Sequence, residues 1–137
     1  MSAPRGYVLG PGEGVPGEDD AALKASRAST GGGLTLIESD TDGGAPRHVH
    51  SREDEAFYVL DGAIWVECGD ERWEAGPASF VFLPRGVPHA WDVVGERAKL
   101  LIITAPAGLE EFLREFHAAD DAGRAEVARR HGIEFVP

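Results

Sequence analysis

Between residues 34 and 104 the apolar positions fall into short runs cut by glycine, proline and acidic clusters. The runs at 56–60, 63–68, 79–83, 89–94 and 99–104 are rich in β-branched and aromatic residues, which predicts strands. Turns are expected at Gly69-Asp70-Glu71, leading into Arg72-Trp73-Glu74, at Pro84-Arg85-Gly86 and at Gly95-Glu96-Arg97. Asp61-Gly62 reads as a hairpin turn between two of the runs. Short strands at such close spacing argue for an all-β, antiparallel sandwich or barrel. Several runs are apolar on both faces, so cover is expected on both sides, from a second sheet or from a second copy of the chain in a homodimer.

The two ends read differently. Residues 1–33 are expected to hold a short strand at Tyr7-Val8-Leu9, a Gly/Pro-rich acidic loop over 10–20, and a segment at 22–28 that turns at 29–33 into a partner strand at 34–39. A short helix at 21–28 is the alternative to that leading strand. After Thr104 the period changes: Leu109, Phe112, Leu113 and Phe116 recur at three- and four-residue spacing, with Glu110 and Glu111 in the first turn where acids suit the helix dipole. A second helix is expected at about 120–131, stopped by Gly132. The resulting organisation is a leading segment at 1–33, a β-barrel at 34–104 and a helical segment at 105–137, in one structural domain.

With 137 residues the chain is one domain's worth of core. Its single cysteine, Cys68, cannot form an internal disulfide and falls in an apolar run, which points to a buried small residue and a cytoplasmic location. No targeting segment and no apolar run of membrane-spanning length is visible. A net charge of −11 argues against nucleic acid and anionic membranes as partners, since phosphate binding needs a basic surface.

The chemistry concentrates in His48-Val49-His50-Ser51-Arg52-Glu53-Asp54-Glu55 and in Pro84-Arg85-Gly86-Val87-Pro88-His89. Two histidines two apart in a strand present both imidazoles on one face, where they can share an ion. A carboxylate and a third histidine, Glu55 and His89, would complete a site for one divalent transition metal: Fe, Mn, Ni, Cu, Co or Zn. On an unbroken strand Glu53 would share the ligand face. The polar stretch at 51–54 predicts a turn instead, so Glu55 opens the next strand while Glu53 and Asp54 read as a solvated acidic face. Strand phase then turns Phe57 and Val59 inward with Glu55, and Trp91 and Val93 inward with His89. Arg47, Arg52 and Arg85 are the nearby cations, Arg85 being the candidate for a pocket mouth. His117 and His131, near helix ends, read as structural.

These residues resemble the two conserved motifs of the cupins. His48, His50, Glu55 and Gly62 match the spacing of the first motif, and Gly76, Pro84-Arg85-Gly86 and His89 that of the second. Asp42 and Val93 depart from it, at the early glycine and late asparagine positions. The resemblance spans about residues 34–104 and implies a jelly-roll barrel with His48, His50, Glu55 and His89 as metal ligands. The order His48-Val49-His50 with Glu55, the apolar pocket and the tail at 104–112 together most resemble small bacterial quercetin-dioxygenase-like cupins, which implies a dioxygenase-type oxidation of an aromatic or enolizable substrate, with Glu55 as ligand and general base. Two alternatives stand beside it: a non-redox cyclase or isomerase of a polyketide-like metabolite, and a small-molecule-binding cupin without turnover. The high alanine, arginine and glycine usage suggests a high-GC bacterium and favours secondary metabolism.

Overall fold

The computed structural model describes residues 3–137. In chain order the elements are β1 (Leu23–Ala25), α1 (Arg27–Thr30), β2 (Thr35–Thr41), β3 (Ala45–His50), β4 (Asp54–Cys68), β5 (Glu71–Ala75), β6 (Phe80–Leu83), β7 (His89–Ala105), α2 (Leu109–Ala118), α3 (Asp121–Arg130) and β8 (Ile133–Phe135). Every strand pair is antiparallel.

Two long strands organise the rest. β4 and β7 pair along nearly their whole length, from Asp54↔Ala105 at one end to Cys68↔His89 at the other. The first half of this ribbon carries β6 on the β4 side and β2 then β1 on the β7 side. Its second half carries β5 on the β4 side and β3 then β8 on the β7 side. The sheet is thus folded across its two central strands into two layers that share them, in the manner of an open-sided jelly-roll barrel.

Asp61-Gly62 and Gly95-Glu96-Arg97 are therefore corners within strands, and the hairpin expected at Asp61-Gly62 is not formed. The register between β4 and β7 shifts on either side of Asp61. Gly62 stands at φ 76° with its α-carbon against the opposite strand: a β-carbon there would lie 2.6 Å from the Arg97 carbonyl oxygen. Only glycine combines that dihedral with so close an approach. The composition of a tight turn and of a strand corner is the same, which is why the sequence pattern does not separate them.

The inward faces form one core, with Phe57, Val59, Ile64, Val66 and Leu100 fully buried and Cys68 at its edge. A second cluster joins Leu109, Phe112, Val127, Ala128 and Ile133, so that α2 and α3 pack on β8 and against Ile37 and Ile102. The outer face behaves differently: Tyr58 and Leu60 on β4 and Phe80 and Phe82 on β6 are exposed, Tyr58 lying opposite Phe80.

Three local readings change. Residues 7–9 are not a strand, and Tyr7 instead donates its hydroxyl to the Lys24 carbonyl at 2.7 Å. The segment leading into β2 is divided between β1 and the one-turn helix α1, where Ser26 and Ser29 form a capping box and Gly31 supplies the left-handed cap. Past Gly132 the chain makes β8, which the three residues of the strand were too short to announce. Among the described residues no helix is long and apolar enough to cross a membrane.

Candidate metal centre

β3 carries His48 and His50 on one face, and β7 brings His89 directly opposite His48. Glu55 comes from the start of β4, in the other half of the ribbon. On a flat ladder Glu55 and Cys68, the partner of His89, would be thirteen residues or about 43 Å apart. In the folded sheet Glu55 Oε1 lies 3.0 Å from His89 Nε2. The corner at Gly62 is what closes this distance.

The four side chains are buried, at 7% (His48), 3% (His50), 6% (Glu55) and 1% (His89) exposure, and their donor atoms all lie within 4.8 Å of one another. His48 Nε2 and His50 Nε2 are 3.1 Å apart. The far nitrogens explain the orientation. His48 Nδ1 donates to the Pro46 carbonyl at 2.7 Å, and His50 Nδ1 donates to Glu53 Oε1 at 2.6 Å. In a neutral imidazole the other nitrogen is then a lone-pair acceptor, so two acceptors face each other in a buried site. Such an arrangement calls for a positive centre between them, and a donor set of three nitrogens and one carboxylate fits a divalent transition metal. His89 Nδ1 and Thr104 Oγ1 are the buried side-chain polar atoms without a partner among the described residues.

The electrostatics separate the two rings: His48 is held neutral, whereas His50 is drawn toward the charged form by its carboxylate neighbours. Burial pushes the His48 pKa down to about 4, against the pull of the Pro46 carbonyl, with the charges of His89 and His50 adding to the depression. Burial also opposes a charge on His50, but the Glu53 hydrogen bond and the charges of Glu55 and Glu53 outweigh it and raise its pKa. Burial disfavours the Glu55 carboxylate as well; the His89 hydrogen bond and the surrounding imidazoles reverse this and lower its pKa.

A family model described as a cupin domain matches residues 35–104. The chain is a cupin. Among curated proteins this cupin is 29% identical over 103 residues to a quercetin 2,3-dioxygenase of Bacillus subtilis (strain 168), an alignment covering 72% of the chain and 31% of that enzyme. The chain thus spans about a third of that relative's length. Among solved structures it resembles KdgF from Halomonas sp., with TM-score 0.55, 20% identity and coverage of 65% of this chain and 81% of that one. TT1209 from Thermus thermophilus is 29% identical, with TM-score 0.51 and coverage of 55% and 74%.

Phe57 and Val59, two and four residues after Glu55 on β4, are fully buried in the core; Trp91, two residues after His89 on β7, is buried with its ring 5.1 Å from that of Phe57, and Val93 is half-buried. Arg85 lies at the surface, where its guanidinium and backbone N–H bind Asp54. Two neighbours were not foreseen. Phe135 on β8 pairs with His48 in register, its ring 6.0 Å away. Glu53 is 7% exposed, not part of a solvated face. The available signal was its place three residues after His50, which lets a turn bring the carboxylate back onto the ring.

Proposed function

We propose that this cupin is a metal-dependent enzyme acting on an aromatic or enolizable small molecule, by a dioxygenase-type oxidation. The observation that carries the reading is the buried convergence of His48, His50, Glu55 and His89, with the apolar Phe57 and Trp91 two residues along the same strands from Glu55 and His89. The relative in Bacillus subtilis, a quercetin 2,3-dioxygenase, supports the aromatic substrate class. A divalent ion held by these four residues would supply Lewis acidity and, with a redox-active metal, electron exchange with dioxygen.

The chain's own residues account for the rest. Glu55, the carboxylate of the cluster, is held ionised by the surrounding imidazoles and is the group placed to accept a proton from an acidic substrate hydroxyl. His48 and His50 hold fixed tautomers through Pro46 and Glu53, so their Nε2 atoms stay directed at the centre. Trp91 and the half-buried Val93, with Phe57 and Val59 packed in the core beside them, make surroundings that are apolar and poor in hydrogen-bond partners. A sugar would leave hydroxyls unpaired there, at about 1–3 kcal/mol each.

The test is incubation of the metal-loaded protein with flavonols, catechols and enolizable diketones, with and without oxygen. Oxygen-dependent consumption of one of these is the expected result. Oxygen-independent conversion would replace the oxidation with a cyclase or isomerase activity, and tight binding of a sugar nucleotide with none of any aromatic would refute the pocket argument. We propose also that the exposed face of Tyr58, Leu60, Phe80 and Phe82 is covered by a second copy of the chain, since apolar area of that extent is costly in water.

A further inference from the structure

The three imidazoles of the cluster differ in what stands behind them. His48 has a neutral backbone carbonyl at 2.7 Å, His50 has the Glu53 carboxylate at 2.6 Å, and His89 Nδ1 has no partner among the described residues. Glu53 sits in the bend between β3 and β4, buried, and touches the His50 ring on the edge away from the cluster. It also lines a cavity of about 250 Å³ with Arg27, Arg52, Phe112 and His131, and it is not among the four residues whose donor atoms converge. It is therefore placed to orient a ligand and not to be one.

We infer that Glu53 is a positioning residue of the metal centre: by accepting the Nδ1 proton of His50 it locks that ring's tautomer and makes His50 Nε2 the strongest nitrogen donor of the three. An ionised acceptor strengthens the N–H bond's polarisation and so the basicity of the opposite nitrogen, more than a carbonyl does. The inference rests on the metal-binding reading of the cluster. It adds that affinity depends on a carboxylate outside the coordination shell.

The experiment is competition of Co(II) or Zn(II) between a chromogenic chelator and the wild type, Glu53→Ala, Glu53→Gln and, as a surface-charge control, Glu74→Gln. Outer carboxylates of this kind are worth about 10–100-fold in metal affinity. Glu53→Ala is expected to bind the metal that much more weakly, and Glu53→Gln, which keeps an acceptor of the same shape without the charge, to fall between it and the wild type. Melting of the metal-free proteins separates the roles, because a merely structural Glu53 would lower the melting temperature and leave the affinity alone. Affinities within twofold of wild type in both Glu53 variants, or an equal loss in Glu74→Gln, would overturn the inference. A wild-type chain that binds neither metal overturns the metal reading itself, a different outcome. Should Glu53→Ala fail to fold, the near-isosteric Glu53→Gln still decides, since unchanged affinity there with the charge removed refutes the role of an ionised acceptor.

Discussion

Replacing Gly62 by alanine tests the corner on which the site depends. At φ 76° an L-residue costs about 1–2 kcal/mol that glycine does not. The new β-carbon would also meet the Arg97 carbonyl oxygen at 2.6 Å and the Ala98 α-carbon at 3.0 Å. Both are backbone atoms of a paired strand and cannot swing aside, so overpacking adds about 1–3 kcal/mol. Against this, alanine reduces the entropy of the unfolded chain, returning about 0.4–1 kcal/mol. The net loss is about 2–4 kcal/mol. With an unfolding entropy of about 0.29 kcal/mol per kelvin for 137 residues, the melting temperature should fall by about 7–14 °C.

Gly95 provides the comparison. It has φ 88° but nothing within 4 Å of the place a β-carbon would occupy, so Gly95→Ala carries the dihedral cost alone. That amounts to about 1 kcal/mol after the entropy offset. Urea and thermal unfolding of the metal-free variants, measured side by side, give the two values. If Gly62→Ala is no worse than Gly95→Ala, the backbone contact does not hold the corner and the account of the folded ribbon is wrong.

Two further outcomes are expected. Divalent metal at a hundredfold excess over its Kd should stabilise the protein by about 2.7 kcal/mol, a rise of about 9 °C, and His89→Ala should abolish the shift; an unchanged shift in that variant would remove His89 from the ligand set. Light scattering at micromolar concentration should give a dimer that Phe80→Glu dissociates, while a monomeric wild type would dispose of the second copy on the outer face.

The strands, their inward residues and the grouping of His48, His50, Glu55 and His89 were legible because each rests on a local regularity. Alternation places Phe57, Val59 and Trp91, and a two-residue spacing places His48 beside His50. The polar stretch after His50 predicts the break that lets Glu55 open β4, and Glu55 is the carboxylate grouped with the three histidines. What was not legible is whatever a distant partner decides. Gly62 has turn chemistry whether the chain reverses or bends; the ladder with β7, a pairing across the fold, selects the bend. β8 exists because β3 offers a free edge at residues 48–50, and nothing in Ile133-Glu134-Phe135 itself demands a strand. Glu53 looked solvated because charge runs are, until the fold supplied a buried imidazole for it.

The placement of the donors has a thermodynamic consequence. His48 and His50 are neighbours in any state of the chain, so they can grip a metal in the unfolded protein too, there without the Pro46 and Glu53 hydrogen bonds that orient the rings in the fold. A ligand stabilises a fold only to the extent that it prefers the folded state. Beyond that orientation, the preference must come from the pair that the fold creates, Glu55 and His89, which the chain separates widely and the corner at Gly62 brings to 3.0 Å. Closing a loop of that length costs about 3 kcal/mol in the unfolded chain, comparable to the whole stabilisation expected at a hundredfold excess of metal. Loss of His89 should thus remove the thermal shift more completely than it removes residual metal binding, because His48 and His50 remain. A His89→Ala protein that still binds metal weakly but melts at the same temperature with and without it is the signature of this coupling; equal loss of both would mean that the histidine pair does not grip the ion on its own.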